Sequence, residues 1–350
     1  MEANVSIREQ VEAMEARSLG PRACLSRNSK GRRQEEAPDL MRPCFQRDRD
    51  RVVHSKAFRR MAGKTQVFLA PIGDHYRTRM THSIEVSQVG CAIARALHLN
   101  TMLVEAIAMG HDLGHTPFGH AGERTLRQLI PGGFHHARQT LRIVNETGRS
   151  GRGMNLSEEV IDGIAKHSKG KGKLITDNRA TLALTLEGQV MRLADIIAYV
   201  NHDFDDARRA GLLAEDDLPL EVAEQLGRSH SQRLSTLVGD VVQASEACGL
   251  GRIHMSEPVV QALEAFRDFL YDRVYLTDAV TEDFDRAAGI LNFLWEYFMA
   301  DEARFEAEFD SRSSDEPHHQ RVTDYITGMT DRFAIRLYER LFMPRAWSVF

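Results

Sequence analysis

Thirteen consecutive residues in mid-chain constrain this protein more than any other stretch. They are His111-Asp112-Leu113-Gly114-His115-Thr116-Pro117-Phe118-Gly119-His120-Ala121-Gly122-Glu123. Three histidines and two carboxylates alternate with glycines that let the backbone fold sharply. Upstream, Val104 and Ile107 place His111 on the apolar stripe of a helix, at spacings of seven and four. Gly114 suits a left-handed residue ending that helix. Thr116 followed by Pro117 reads as the N-cap and first position of the next. His120 and Glu123, three apart on that second helix, share a face. A helix end thus delivers adjacent His and Asp side chains, and a tight turn returns a His–Glu pair beside them. That is an active-site layout.

The flanking chain reads as helical. A short helix is expected near Val5–Ala16, then a polar loop or mobile segment over Ser26–Glu36. Gln66–Ala70 reads as a short strand ended by Pro71, Gly73 and Asp74. Residues 81–98 form a clear helix, because His82, Val86, Val89, Ile93 and Leu97 recur at spacings of four, three, four and four. Glycine-rich basic loops at Gly148–Gly153 and Gly170–Lys173 flank a helix over Ser157–His167. They lack the strand–loop–helix context of a nucleotide-binding loop. A long helix spans 180–210, with further helical patterns at 218–247, 257–271, 282–308 and 321–342 and an acidic loop from Asp310 to His319. The expected fold is all-α, a helical bundle with additional helices and few or no strands. Its expected parts are an N-terminal segment (1–44), a catalytic core (45–215) and a C-terminal helical region (216–350) that completes the site.

Composition narrows the class. A chain of 350 residues, 42% hydrophobic and 27% charged, can bury a sizeable core. The net charge of −5 gives no global reason to expect nucleic acid, although a single strand stays open as a partner. No apolar run is long enough to span a bilayer, and the N-terminus lacks the pattern of a signal peptide. Cys24, Cys44, Cys91 and Cys248 show no CxxC spacing, so a reducing, cytoplasmic setting is expected.

His82, His111, Asp112 and Asp195 lie near apolar helix faces, where an unpaired polar side chain is costly. A divalent ion would satisfy all four, and a mixed His/Asp set suits several such ions without selecting one. Each residue alone has a blander reading. Taken alone, His82 reads as a hydrogen-bonded core histidine before a ligand, and Asp195 as an interior cap or half of an ion pair with Arg192. His202, Asp203, Asp205 and Asp206 read as a solvated face. His54, His75, His98 and His230 read as incidental. The His111-Asp112 pair stands apart, because the turn chemistry and the His120/Glu123 pair point the same way.

Taken in order, Thr78-Arg79-Met80-Thr81-His82-Ser83, the His111–Glu123 stretch and Ala194-Asp195 resemble the H…HD…D signature of HD-domain phosphohydrolases. Gly63–Phe68, Gly153–Ser157, Gly163–Ser168, Leu186–Gln189, Ile197-Ala198-Tyr199 with His202-Asp203, and Asp324–Asp331 resemble one branch of them. That branch is the deoxyguanosinetriphosphate triphosphohydrolase-like family, and the likeness runs from about Arg47 to Glu339.

The resemblance implies hydrolysis of dGTP or several dNTPs to deoxynucleoside and inorganic triphosphate. It implies a divalent cofactor (Mg, Mn or another first-row metal) on His82, His111, Asp112 and Asp195. It makes His120, supported by Glu123, the catalytic pair and His136 a phosphate-contacting histidine. Gln66, Arg79, Tyr199 and Asp203 match positions that touch sugar or phosphates, and His115 joins the substrate-binding set. A homo-oligomer and a dNTP activator are implied partners. The chain departs from the family pattern at Phe134–Gln139, where Ala137 replaces the asparagine of Glu-His-Asn, and at Ile196, usually acidic. Both bear on phosphate contacts rather than on the metal residues. The competing expectations are an HD-type phosphatase or phosphodiesterase acting on another nucleotide, and a weakly catalytic nucleotide-sensing or nucleic-acid-binding scaffold.

Overall fold

Capping residues dictate most of the helix starts. The computed structural model describes residues 5–66, 77–168, 174–175, 178–309 and 315–344. Among them the fold is all-α, and the β pairings are two isolated bridges, Arg32 with Ser157 and Thr65 with Thr78. The expected strand after Gln66 and the loop at 170–173 lie outside the described residues.

Helix α1 (Ile7–Ser18) opens on a capping box between Ser6 and Glu9. Helices α2 (Cys44–Val53) and α3 (Lys56–Met61) follow the polar loop. Thr78 and Thr81 cap α4 (Arg79–Ala96) reciprocally, and the Asn100 side chain caps α5 (Thr101–Gly110). Next come α6 (Gly119–Leu129), α7 (His136–Arg142), the short α8 (Gly148–Gly151) and α9 (Glu158–Lys166). The long α10 (Leu186–Arg209) begins at a Thr185 cap. The rest is α11 (Leu220–Leu226), α12 (His230–Ala247), α13 (Glu257–Leu270), α14 (Asp278–Met299), α15 (Glu302–Glu308), α16 (His318–Thr327) and α17 (Asp331–Phe342).

Three stretches that read as single helices are each two. The Ser229–Gln232 capping box starts α12 afresh, Asp301 caps α15, and Thr330 caps α17. Local cap chemistry overrides the continuous apolar period. The polar 26–36 stretch opens on a 3₁₀ turn (Ser26–Asn28) and is otherwise a loop, and it is pinned. Arg32 donates to buried Asp48 and, at 2.6 Å, to the Asn155 carbonyl, while Glu36 pairs with Arg51 and Arg47. All four cysteines are free thiols. No helix among the described residues is long and apolar enough to cross a membrane.

Helices α4, α5 and α10 pack on one another, and α5 is apolar and buried from Leu103 to Ala108 apart from Glu105. The expected stripe of α4 (Val86, Val89, Ile93 and Leu97) is buried. One apolar core runs from Phe45 to Val274, so α11–α13 share it with the central helices. A second joins Phe118, Leu126 and Phe134 to Phe284, Trp295, Phe298, Phe305 and Leu337. Helix α6 therefore packs with the C-terminal helices, α14 above all.

Two details of the central turn differ from the expectation. Gly114 is not left-handed; an added Cβ would sit 2.2 Å from the Thr140 nitrogen and 2.5 Å from the His136 carbonyl oxygen. The glycine is needed for that close approach of α7. Thr116 and Pro117 do not start α6 either. Phe118, left-handed at φ 63°, is its N-cap, and the Thr116 hydroxyl donates to the Gly119 carbonyl at 3.2 Å. Because the atoms facing Gly114 are backbone, no rotamer change relieves a methyl there. Gly114→Ala should lower stability by about 1–3 kcal/mol, read as an earlier urea midpoint. An unchanged midpoint would show that α7 can move aside.

Candidate metal centre and active site

A backbone carbonyl sets the state of the central histidine. At the end of α5, His111 Nδ1 lies 2.7 Å from the Ala108 carbonyl oxygen. That oxygen only accepts, so Nδ1 carries the proton and Nε2 presents a lone pair. His111 is fully buried, and Nε2 has no hydrogen-bond partner among the described residues. It lies 3.4 Å from Asp112 Oδ1 and 3.8 Å from Asp195 Oδ1. His82, one turn into α4, places Nε2 3.1 Å from Asp195 Oδ1. The ligand atoms of His82, His111 and Asp112 all fall within 4.8 Å of one another. So α4, α5 and α10 bring the four expected ligands together.

Charge favours a cation at this point. Burial alone would raise the Asp112 carboxyl, but His111, His115 and Arg79 outweigh it and hold the group well below the usual carboxylate range. Asp195 is likewise lowered, by the His82 hydrogen bond and by His111 against the effect of burial. Two ionised carboxylates, an orphaned imidazole nitrogen and a second imidazole make a donor set that fits a divalent ion. The ion-pair reading of Asp195 with Arg192 gives way to the His82 contact.

A second layer lies against the first. Phe118 and Gly119 are both left-handed, at φ 63° and 52°, and His120 follows them at the start of α6. His120 is exposed on the open side of the site, with its ring 5.9 Å from Tyr275. Protein packed around it and the charge of Arg79 push its pKa down to about 4. The expected His120–Glu123 contact is not formed. Glu123 accepts from His136 Nδ1 at 3.1 Å and from Arg127 at 3.2 Å, because α7 brings His136 against that face of α6. The His136 bonds, from its ring and its backbone N–H, overcome burial and lower Glu123 to about 2. His136 also stacks on His115, with centroids 4.1 Å apart and planes at 15°. His115 Nε2 is 3.5 Å from Asp112 Oδ1; burial and Arg79 hold its pKa well below the ordinary value.

The expected substrate residues surround these layers. Arg79 donates to Asp112 Oδ2 at 2.9 Å and reaches toward the Gln66 carbonyl at 3.5 Å. Gln66 Oε1 is buried without a partner among the described residues. Along α10, Asp203 accepts from the Tyr275 hydroxyl, and burial pushes Asp203 up to about 7. The solvated-face reading fails here. Asp206 is buried and bonded to Arg77 at 2.7 Å, Asp205 pairs with His230 at 2.8 Å, and His202 pairs with Glu85 at 3.1 Å.

Three residues at the site escaped the sequence reading. Tyr275 ends a π-helical turn that follows α13. Buried Lys64 donates to the carbonyls of His115 and Thr327. His167 repeats the His111 device: its Nδ1 donates to the Ile164 carbonyl at 2.6 Å, and its ring is 5.0 Å from His111. The Gly163–Ser168 motif was the available signal for it.

The HD domain model matches residues 79–200, which span all four candidate ligands. The phosphohydrolase-associated domain model matches residues 253–340. A protein of Desulfatibacillum aliphaticivorans is 48% identical, covering 97% of this chain and 99% of its own length. It is described as deoxyguanosinetriphosphate triphosphohydrolase-like. A protein of Caldanaerobacter subterraneus subsp. tengcongensis with the same description is 45% identical over 98% of both chains. One of Clostridium tetani is 42% identical over 97% of both.

Removing a ligand at the centre should empty it. His111→Ala and Asp112→Ala should each retain less than the one divalent ion per chain expected of the unaltered protein, as measured by elemental analysis after manganese loading. Both should also lose the stabilisation that the ion confers. One ion per chain retained in both variants would remove these residues from the ligand set.

Proposed function

Because the chain belongs to the deoxyguanosinetriphosphate triphosphohydrolase-like family of HD-domain proteins, we propose that it hydrolyses dNTPs to deoxynucleoside and inorganic triphosphate. The substrate is dGTP or several dNTPs. The cofactor is magnesium, manganese or another first-row divalent ion, held by His82, His111, Asp112 and Asp195. The observation that carries this reading is the orphaned, buried Nε2 of His111 between two ionised carboxylates, with a second imidazole–carboxylate layer alongside.

A divalent ion bound there supplies neutralisation of phosphate charge and acidifies water. The surrounding side chains do the remainder. Arg79 and His115 offer donors to the phosphates, and Glu123 fixes the orientation of the His136 ring beside them. Burial and the charge of Arg79 lower the pKa of His120 in the substrate-free site. A triphosphate beside it raises its proton affinity, because a nearby anion favours the charged imidazolium. His120 then delivers a proton to the departing 5′-oxygen. Tyr199 lies against the sugar, and Asp203 accepts from the 3′-hydroxyl. A ring packed there leaves no partner for a buried 2′-hydroxyl.

Two measurements test this. His120→Ala should keep metal and substrate binding while kcat falls by ~10² to 10⁴-fold. A variant that turns over at the unaltered rate would make the residue structural. With the same metal, dNTPs should be hydrolysed well and rNTPs poorly, and Tyr199→Ala should narrow the gap. Equal rates for dGTP and GTP in the unaltered protein would sink the sugar assignment.

A further inference from the structure

The Asp324–Asp331 motif has no part in the chemistry above, yet its last residue reaches the site. Asp331 is 5% exposed and begins α17. Its backbone nitrogen donates to the Gly63 carbonyl at 3.0 Å. One carboxylate oxygen accepts from the Thr65 nitrogen at 2.9 Å and from the Thr65 hydroxyl. The other accepts from the Phe118 nitrogen at 2.8 Å. One turn upstream, Lys64 donates to the Thr327 carbonyl at 2.7 Å and also to the His115 carbonyl. Three segments distant in sequence (63–66, 115–118 and 327–331) are thus joined by a single carboxylate and a single lysine.

What these bonds hold is a backbone conformation that does not hold itself. Phe118 has a Cβ and sits at φ 63°, a region that L-residues with side chains avoid. Such a residue persists where its surroundings over-determine it. Here the Phe118 ring is 3% exposed in the C-terminal core, and its N–H has Asp331 as acceptor. Two residues further on is His120, and the Thr65 end of the clamp continues directly into Gln66.

We propose that Asp331 is a positioning residue: its carboxylate locks the left-handed Phe118-Gly119 turn that presents His120, making the C-terminal helices part of the catalytic apparatus. The inference rests on the reading of His120 as the proton donor. Asp331 touches none of the four metal residues, so its effect is on proton delivery and not on ion binding.

Asp331→Ala should retain the divalent ion and lose kcat by about tenfold or more, since small displacements of a catalytic group are costly. Asp331→Asn keeps the shape and one acceptor oxygen, and should show a smaller loss in the same parameter. Leu337→Ala, in the same core but away from the clamp, should lose stability with kcat kept. The decisive measurement is the double variant. If Asp331 acts through His120, Asp331→Ala/His120→Ala should be no slower than His120→Ala alone, within about twofold. Additive losses, with His120→Ala itself slow, would overturn the inference and leave the proposed function standing. A kcat loss in Leu337→Ala equal to that in Asp331→Ala would also overturn it. If His120→Ala is as fast as the unaltered protein, the proposed function and the inference fall together.

Discussion

The site depends on one hydrogen bond from a side chain to its own helix. By donating Nδ1–H to the Ala108 carbonyl, His111 is fixed in one tautomer and one orientation, with Nε2 left as a buried lone pair. That arrangement is expensive without a Lewis acid, since a buried acceptor with no partner gives up its hydration for nothing. The packing around α5 makes it unavoidable. The helix is buried between α4 and α10, so its last residue projects into protein, where His82, Asp112 and Asp195 meet it. Apolar burial positions the polar centre, and its donor set fits a cation.

The second dependence runs through α6. One side of that helix carries His120 and Glu123, and the other packs on the C-terminal helices. Its start is left-handed at two successive residues, so the direction of His120 is set by what holds Phe118 and Gly119. The matched HD domain model ends at residue 200, well before the helices that do the holding. Tyr275, which bonds Asp203, and Asp331, which bonds Phe118, both come from beyond that boundary. The phosphohydrolase-associated region therefore contributes to the site as well as covering the core.

Much of this was legible in the residues. The α4 stripe, the long α10 and the convergence of His82, His111, Asp112 and Asp195 follow from helical spacing and from the cost of burying unpaired polar groups. Other features depend on long-range geometry that no local pattern carries. Gly114 looked like a turn residue because of its place after a helix, whereas α7, packed against it, is what forbids a side chain. Glu123 was paired with His120 by helical spacing, but α7 presents His136 to it first. Asp205 and Asp206 looked solvated until Arg77 and His230, distant in sequence, were brought against them. Each case turns on a partner in another segment, which sequence spacing does not encode.

The central claim is that water attacks the α-phosphorus and the nucleoside leaves as a 5′-alcohol, with the triphosphate intact. Running the reaction on dGTP with manganese in ¹⁸O-labelled water, and following it by ³¹P NMR and mass spectrometry, tests this directly. The account predicts inorganic triphosphate carrying one labelled oxygen on a terminal phosphorus, together with unlabelled deoxyguanosine. Release of orthophosphate or pyrophosphate, or label in the nucleoside 5′-hydroxyl, would contradict it.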